Sequence, residues 1–217
     1  LSVGDRIIQH HYEGCRECDY CLTGWQQLCA VTEKKLYYGG SMHGGHGDYM
    51  VAHQSTCVTL PDEVTFEVGA YLACGASTAF QALKKLEVSG RDTLAVFGQG
   101  PVGLSGTQLA KAMGARVIAL DVSTERRQLA KNFGADEVID PLNNDVVSAI
   151  KDLTSGEGAH KSLDCSSNSE ARAQAVKCVR TWGKACYVGE GGDVNLDVSN
   201  DLIRRQVTLI GSWTFSK

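Results

Sequence analysis

The spacing of apolar residues along this chain changes character near residue 76. Before it, apolar runs are short and set between glycine- and histidine-rich loops. Val3–Ile8, Tyr49–Ala52 and Cys57–Leu60 predict strands of a small β-rich unit. Pro61-Asp62 predicts a turn. From Val68 to Leu86 the pattern is helical and rich in Ala and Leu, with a break at Cys74-Gly75. After Arg91 strands and helices alternate. Continuous apolar runs predict buried strands at Leu94–Phe97 and Val117–Leu120. Shorter strands follow at Glu137–Ile139, Ser162–Cys165, Ala185–Val188 and Val207–Gly211. Between them the spacing predicts helices over Val102–Met113, closed by Gly114, and over Thr124–Phe133, opened by Ser123 and closed by Gly134. Further helices are predicted around Val146–Leu153 and over Glu170–Val179. Such alternation with short connections predicts an α/β fold, a parallel sheet with helices on both faces.

Composition narrows the class. The chain has 217 residues, 43% hydrophobic and 21% charged, in the range of a globular protein able to bury a core. No apolar run reaches the length of a membrane span, and residues 1–10 lack the basic start and apolar core of a secretory signal. A net charge of −4 and the absence of a long basic run give no footprint for nucleic acid. Nine cysteines, an odd number, argue against a secreted disulfide framework. The expectation is a cytoplasmic protein with no membrane or nucleic-acid partner.

Four of those cysteines fall in one short segment, Cys15-x2-Cys18-x2-Cys21-x7-Cys29. Four thiolates at such gaps suit a tetrahedral zinc, and a closed four-sulfur site is structural because it leaves no open position. Reduced, unliganded thiols or a local disulfide would be the plain alternative. The loop's charges, Glu13, Glu17 and Asp19 against Arg16, do not suit a nucleic-acid ribbon.

The second motif is Gly98-Gln99-Gly100-Pro101-Val102-Gly103, a G-x-G-x-x-G that follows one predicted strand and opens a predicted helix. Gly98 makes the tight turn, Gly100 lets a pyrophosphate approach the backbone, and Gly103 packs helix on strand. Free N–H groups at the helix start, among them that of Val102, favour an anion. Asp121, at the end of the next strand, would bond the adenosine ribose and disfavour a 2′-phosphate, so NAD is expected over NADP. Arg126 and Arg127 follow closely and bear on that preference. A capping carboxylate is the plainer reading of Asp121.

The remaining signals are weaker. Cys74 by itself reads as a small core cysteine, as do Cys57, Cys165, Cys178 and Cys186. His43 and His46 form an H-x-x-H in a glycine-rich loop and read as an exposed turn before the strand at Tyr49. His10 and His53 read as surface residues. Asp164, at a strand end, reads as a cofactor contact or a loop cap.

The four-cysteine spacing, with Gly24 and Leu28 beside it, resembles the structural zinc lobe of the zinc-dependent medium-chain alcohol dehydrogenase family. Ala73-Cys74-Gly75-Ala76-Ser77-Thr78 is similar to that family's segment carrying a catalytic-zinc ligand. The resemblance runs over essentially the whole chain and implies a Rossmann-type doubly wound sheet plus a β-rich, GroES-like catalytic domain that is incomplete here. It implies that residues 1–76 are that partial catalytic domain, with its zinc lobe at 15–29. Residues 77–212 would be the NAD-binding domain, and 213–217 the start of a return to the catalytic domain. It makes Cys74 a thiolate of the catalytic zinc, places Thr78 near the nicotinamide, and gives Val188-Gly189 the carboxamide contact. His11 would line the substrate pocket. The last strand would be a dimer edge, so a homo-oligomer is expected.

The family's first zinc-binding cysteine and its Gly-His-Glu segment lie upstream of the lobe and have no counterpart in residues 1–14. The sequence therefore reads as a central stretch truncated at both ends, with the structural zinc present, the catalytic zinc absent and catalysis incomplete. The implied reaction is hydride transfer between an alcohol or polyol, a small-molecule substrate, and NAD. A non-catalytic nucleotide-binding protein that keeps the fold and the structural zinc is the alternative. A zinc-free reductase of the same superfamily is disfavoured by the lobe, and a zinc-ribbon module fused to a nucleotide sensor by the acidic loop.

Overall fold

The computed structural model describes residues 1–217, which divide into two units: Leu1–Ser77 with Phe215–Lys217, and Thr78–Thr214. The first unit has little regular structure. It contains β1 (Ile7–Gln9), β2 (Tyr12–Glu13), the single turn α1 (Asp19–Leu22), β3 (Leu36–Tyr37), β4 (Cys57–Thr59) and α2 (Phe66–Tyr71). β1 pairs antiparallel with β4, and β2 with β3. The Thr65 side chain caps α2 by accepting the Val68 N–H at 3.3 Å. Phe215–Lys217 lie in this unit, where the Phe215 carbonyl accepts the Gln27 side-chain amide at 3.0 Å and the Lys217 N–H donates to the Gly24 carbonyl at 3.0 Å.

Three sequence expectations fail here. Tyr49–Ala52 is not a strand: Tyr49 is 96% exposed and Val51 88%, and no neighbouring strand pairs with them. An apolar run becomes a strand only where a partner supplies the hydrogen-bond ladder, which spacing alone does not reveal. The predicted break at Cys74-Gly75 is instead a wide helical turn, Leu72–Ala76, closed by the Ser77 hydroxyl donating to the Leu72 carbonyl at 2.6 Å. Such π-type turns absorb an irregular step without ending the helix. His10 is buried, with Nδ1 3.1 Å from the Tyr12 carbonyl and its ring edge-on to Phe215.

The second unit follows α3 (Ser77–Leu86) with β5 (Thr93–Phe97), α4 (Pro101–Ala112), β6 (Arg116–Leu120), α5 (Thr124–Asn132) and β7 (Glu137–Ile139). Then come α6 (Val146–Asp152), β8 (Ala159–Asp164), α7 (Ser169–Lys177), β9 (Val179–Tyr187) and β10 (Thr208–Gly211). The six strands form one parallel sheet in the order β10-β9-β8-β5-β6-β7. Every residue of β5 is buried because both faces of the strand are covered. Ala95 and Phe97 join Ile118, Leu120, Ile150 and Val179 on one side. Leu94 and Val96 join Leu83, Leu86, Val117 and Leu163 on the other. Each fully buried large apolar side chain there contributes about 1.5–3 kcal/mol. The helix ends are made locally. Ser123 accepts the Arg126 N–H and Asp145 the Ser148 N–H, and Gly114, at φ +89°, lets the chain leave α4.

The sheet order places β5 between β6, reached by one crossover, and β8, reached after the chain has run out to β7 and returned. That reversal opens a crevice beyond the strands' carboxyl ends, where ligands bind in folds of this kind.

Candidate functional site

Two sites are built in this chain, one in each unit. In the first, the turn α1 and the loops around it bring the sulfur atoms of Cys15, Cys18, Cys21 and Cys29 within 4.8 Å of one another. Cys15 Sγ and Cys21 Sγ are 3.9 Å apart and all four thiols are free. A disulfide requires about 2.05 Å between sulfurs. Zinc–sulfur bonds of about 2.3 Å in a tetrahedron put the sulfurs about 3.8 Å apart. Backbone N–H groups point at the sulfurs, as thiolates require: Glu17 and Cys18 donate to Cys15 Sγ at 3.4 and 3.3 Å, and Cys15 N–H to Cys29 Sγ at 3.3 Å. Backbone N–H bonds from Ala30 and Cys21 lower the Cys18 thiol to about 6, whereas burial pushes Cys21 up to about 12. A Cβ on Gly14 would sit 2.4 Å from Cys21 Sγ, so a larger residue before Cys15 would displace that sulfur. The donor set, its spacing and its amide partners fit a structural zinc.

Cys74 stands outside that group. It is exposed on the wide turn Leu72–Ala76, not buried in a core as a lone cysteine would suggest, and burial of part of its surface raises its thiol pKa. No second set of three or more metal-binding side chains is assembled around it. His43 and His46 lie exposed in an irregular loop. Thr78, buried, opens the second unit.

In the second unit Gly98, Gly100, Asp121 and Arg126 line a cavity of about 400 Å³ at the carboxyl ends of β5, β6 and β8, with Leu142, Ser166 and Gln174 on its other walls. Gly98 turns at φ +84°, against Ser166. A Cβ on Gly103 would sit 1.7 Å from the Gly98 carbonyl, so α4 can start this close to the strand only without one. A Cβ on Gly100, by contrast, would meet nothing within 4 Å. That open space over the backbone, at the start of α4 with Pro101 in its first position, is what an approaching pyrophosphate needs. The residues present fit a dinucleotide.

Asp121 is 6% exposed and lines the cavity beside that turn. Its carboxylate accepts the Gln99 N–H at 2.7 Å and the Ser123 N–H at 2.8 Å, so it ties the glycine turn to the end of β6. It acts as a loop cap and faces the cavity at once. Arg126 Nη1 lies 3.8 Å from it. Arg127 turns away, donating to the Asp121 and Val122 carbonyls and pairing with Asp140 at 3.0 Å. Gln99, fully buried, bonds the Val96 carbonyl and accepts from the Thr107 hydroxyl, which fixes the turn from beneath.

Val188 and Gly189 follow β9. Both their N–H groups donate to the Asp164 carbonyl, at 2.9 and 3.2 Å, and the Gly189 carbonyl accepts from Arg172 Nη2 at 2.6 Å. Arg172 carried no role in the sequence reading. The signal for it is present: Arg172, Ala175 and Val176 form one buried stripe of α7, and a cation in such a stripe requires partners. Cys178 and Cys186 are buried and their thiols are pushed up to about 12 by desolvation, so they behave as small apolar residues.

Residues 101–217 match the family described as zinc-binding dehydrogenase, and residues 1–62 match the alcohol dehydrogenase GroES-like domain. The chain is 39% identical over 218 residues to an uncharacterized zinc-type alcohol dehydrogenase-like protein of Escherichia coli, covering 100% of this chain and 61% of that one. It is 36% identical over 190 residues to an alcohol dehydrogenase of Geobacillus stearothermophilus, covering 87% and 55%. Its fold superposes with a TM-score of 0.87 on the acetophenone reductase of Geotrichum candidum in complex with NAD, at 30% identity, covering 100% and 61%. The chain thus spans 55–61% of the length of these two curated relatives.

Proposed function

Because the chain belongs to the zinc-binding dehydrogenase family, we propose that it binds NAD and takes part in the reversible oxidation of an alcohol or polyol. The observation that carries the cofactor is the Gly98–Gly103 turn. It is fixed by Gln99 and Asp121 and is open at Gly100 to a pyrophosphate. Amides at the start of α4 take the pyrophosphate charge. Asp121, its carboxylate already oriented by two N–H groups, accepts the ribose hydroxyls and repels a 2′-phosphate. Arg126 supplies a positive rim to the same cavity.

At the other end of the dinucleotide, the Val188 carbonyl accepts the carboxamide. The other three backbone polar groups of residues 188 and 189 are engaged within the fold. Thr78 packs beside the nicotinamide. A bound dinucleotide would supply the hydride acceptor, and Lewis-acid activation of the alcohol would call for a second zinc, toward which Cys74 would be one ligand. The structural zinc sits on Cys15, Cys18, Cys21 and Cys29. The 217 residues assemble one donor, Cys74, where a catalytic zinc takes about three from protein. This chain on its own is therefore expected to hold one zinc and bind NAD without turning alcohol over.

Calorimetric titration of the chain with NADH and NADPH, alongside zinc analysis and an alcohol oxidation assay, tests this. Tighter binding of NADPH would remove the role given to Asp121. No binding of either would remove the cofactor reading. Two zinc ions per chain with turnover would show that another residue joins Cys74.

A further inference from the structure

The loop after β9 is gripped from one side by a single guanidinium. Arg172 Nη2 donates to the Gly189 carbonyl at 2.6 Å and Nη1 to the Gly192 carbonyl at 2.8 Å, so the two arms of one planar fork hold both ends of the segment 189–192. The fork is itself fixed. Its Nε lies 3.4 Å from Asp164 Oδ2, in an ion pair whose side chains are 9% and 0% exposed. The other Asp164 oxygen accepts the Ser166 hydroxyl at 2.6 Å and the Ser166 N–H at 3.1 Å. The Tyr187 ring lies 5.5 Å from the guanidinium carbon, and its hydroxyl donates to the Arg172 carbonyl at 2.8 Å.

The loop is also pressed against the segment after β8. A Cβ on Gly189 would fall 2.5 Å from Ser167 Oγ, and one on Gly192 2.5 Å from the Ser167 carbonyl. A buried ion pair is costly unless its geometry is good and its remaining donors are satisfied. Here four of its hydrogen-bonding contacts go to two loops at the carboxyl end of the sheet. One of these, after β8, lines the cavity through Ser166, and the other begins at Val188, whose N–H donates to the Asp164 carbonyl.

We propose that Arg172, held by Asp164, is a positioning residue for the nicotinamide end of the dinucleotide. By fixing the carbonyls of Gly189 and Gly192 it orients the 188–189 peptide, so that the Val188 carbonyl is placed before the cofactor arrives. This inference rests on the dinucleotide reading above and goes beyond it by assigning the loop's orientation to one residue. Arg172 bonds neither the glycine turn nor Asp121, and Ser166 is held by the Asp164 oxygen that Arg172 does not touch, so the larger part of its effect falls on the nicotinamide half of the ligand. A lysine cannot replace it, because a single ammonium cannot span two carbonyls and a carboxylate with the geometry of a fork.

The test compares NADH with ADP-ribose, which carries the same pyrophosphate and adenosine but no nicotinamide, on the 217-residue chain and its Arg172→Met and Arg172→Lys variants. Arg172→Lys keeps a cation beside Asp164 and serves where Arg172→Met does not fold. The expected result is a fall of about tenfold in NADH affinity, the loss of one charge-assisted restraint, with ADP-ribose affinity unchanged. Amide hydrogen exchange over residues 189–193 should quicken while that of β5 and β8 stays slow. Equal losses for both ligands, or none, would overturn the assignment and leave the dinucleotide reading intact. Equal affinity of the unaltered chain for NADH and ADP-ribose would also overturn it, by removing the contact at Val188. Binding of neither ligand would remove the dinucleotide reading and this inference together.

Discussion

The two units hold their shape by different means. Residues 1–77 bury few large apolar side chains; the centre of the lobe is three cysteines with Cys18 and Val31 against them. Their strands are two or three residues long. Residues 78–214 contain two apolar clusters, one on each face of a six-stranded sheet. Short loops around four donors gain little from area removed from water and depend on the metal, whose binding energy becomes folding energy. A sheet covered on both faces is stabilised by burial and needs no ligand. The lesson is that a binding site and a stability element coincide in the first unit and are separate in the second.

The sharpest way to break this contrast is to remove the metal. Chelation, or Cys18→Ser, should release about one zinc per chain and abolish amide protection through residues 10–38, since structural zinc is worth about 10–16 kcal/mol in small folds. The thermal transition of the second unit should barely move. If that transition moved equally, the two units would not be held independently. The converse experiment is Phe97→Ala, which should cost the second unit about 3–5 kcal/mol and leave the zinc content unchanged.

Within the second unit, two glycines separate shape from binding. Gly103→Ala forces a methyl onto the Gly98 carbonyl and should lower stability as well as NADH affinity. The Cβ of Gly100→Val meets nothing within 4 Å, so this variant should change the melting temperature far less than Gly103→Ala while reducing NADH affinity at least about tenfold, or about 1.4 kcal/mol. Retained NADH binding in Gly100→Val would remove the phosphate-loop assignment. Asp121→Asn keeps one acceptor oxygen where the carboxylate uses two, Oδ2 for the Gln99 N–H and Oδ1 for the Ser123 N–H, so one of these bonds is lost and stability should fall by about 1–3 kcal/mol. The ratio of NADH to NADPH affinity should fall about tenfold, within the range of one charged hydrogen bond.

The smallest expected effect is a pH dependence. His160 Nδ1 accepts the Thr93 N–H at 3.0 Å at the start of the sheet. Burial, helped by the nearby Arg180 and Lys161 charges and opposed by Asp92 and Glu157, holds its pKa below the ordinary value of 6.5. The unfolded chain therefore takes up this proton first. The stabilisation is fully present above pH 6.5 and is lost as the pH falls toward the folded-state value. Urea midpoints of the second unit should decline over that interval, and His160→Gln should flatten the decline.

Much of the second unit was legible because its signals are local. Strands buried on both faces read as unbroken apolar runs, as at Leu94–Phe97, and Ser123 and Gly114 mark helix ends by their own chemistry. The four cysteines were legible for the same reason: their spacing lets one loop close a tetrahedron. By itself the sequence thus determined the parallel α/β architecture, the zinc lobe and the glycine turn. The tertiary structure alone decided that Tyr49–Ala52 has no strand partner, that the helix runs through Cys74 as a wide turn, and that His10 is buried. It also decided that Asp164 and Arg172, eight residues apart, bind two separate loops together. The physical reason is range. Turns, caps and metal loops are closed by neighbours in the chain, whereas strand pairing, burial of a single side chain and the partners of a buried charge depend on residues the fold brings from elsewhere.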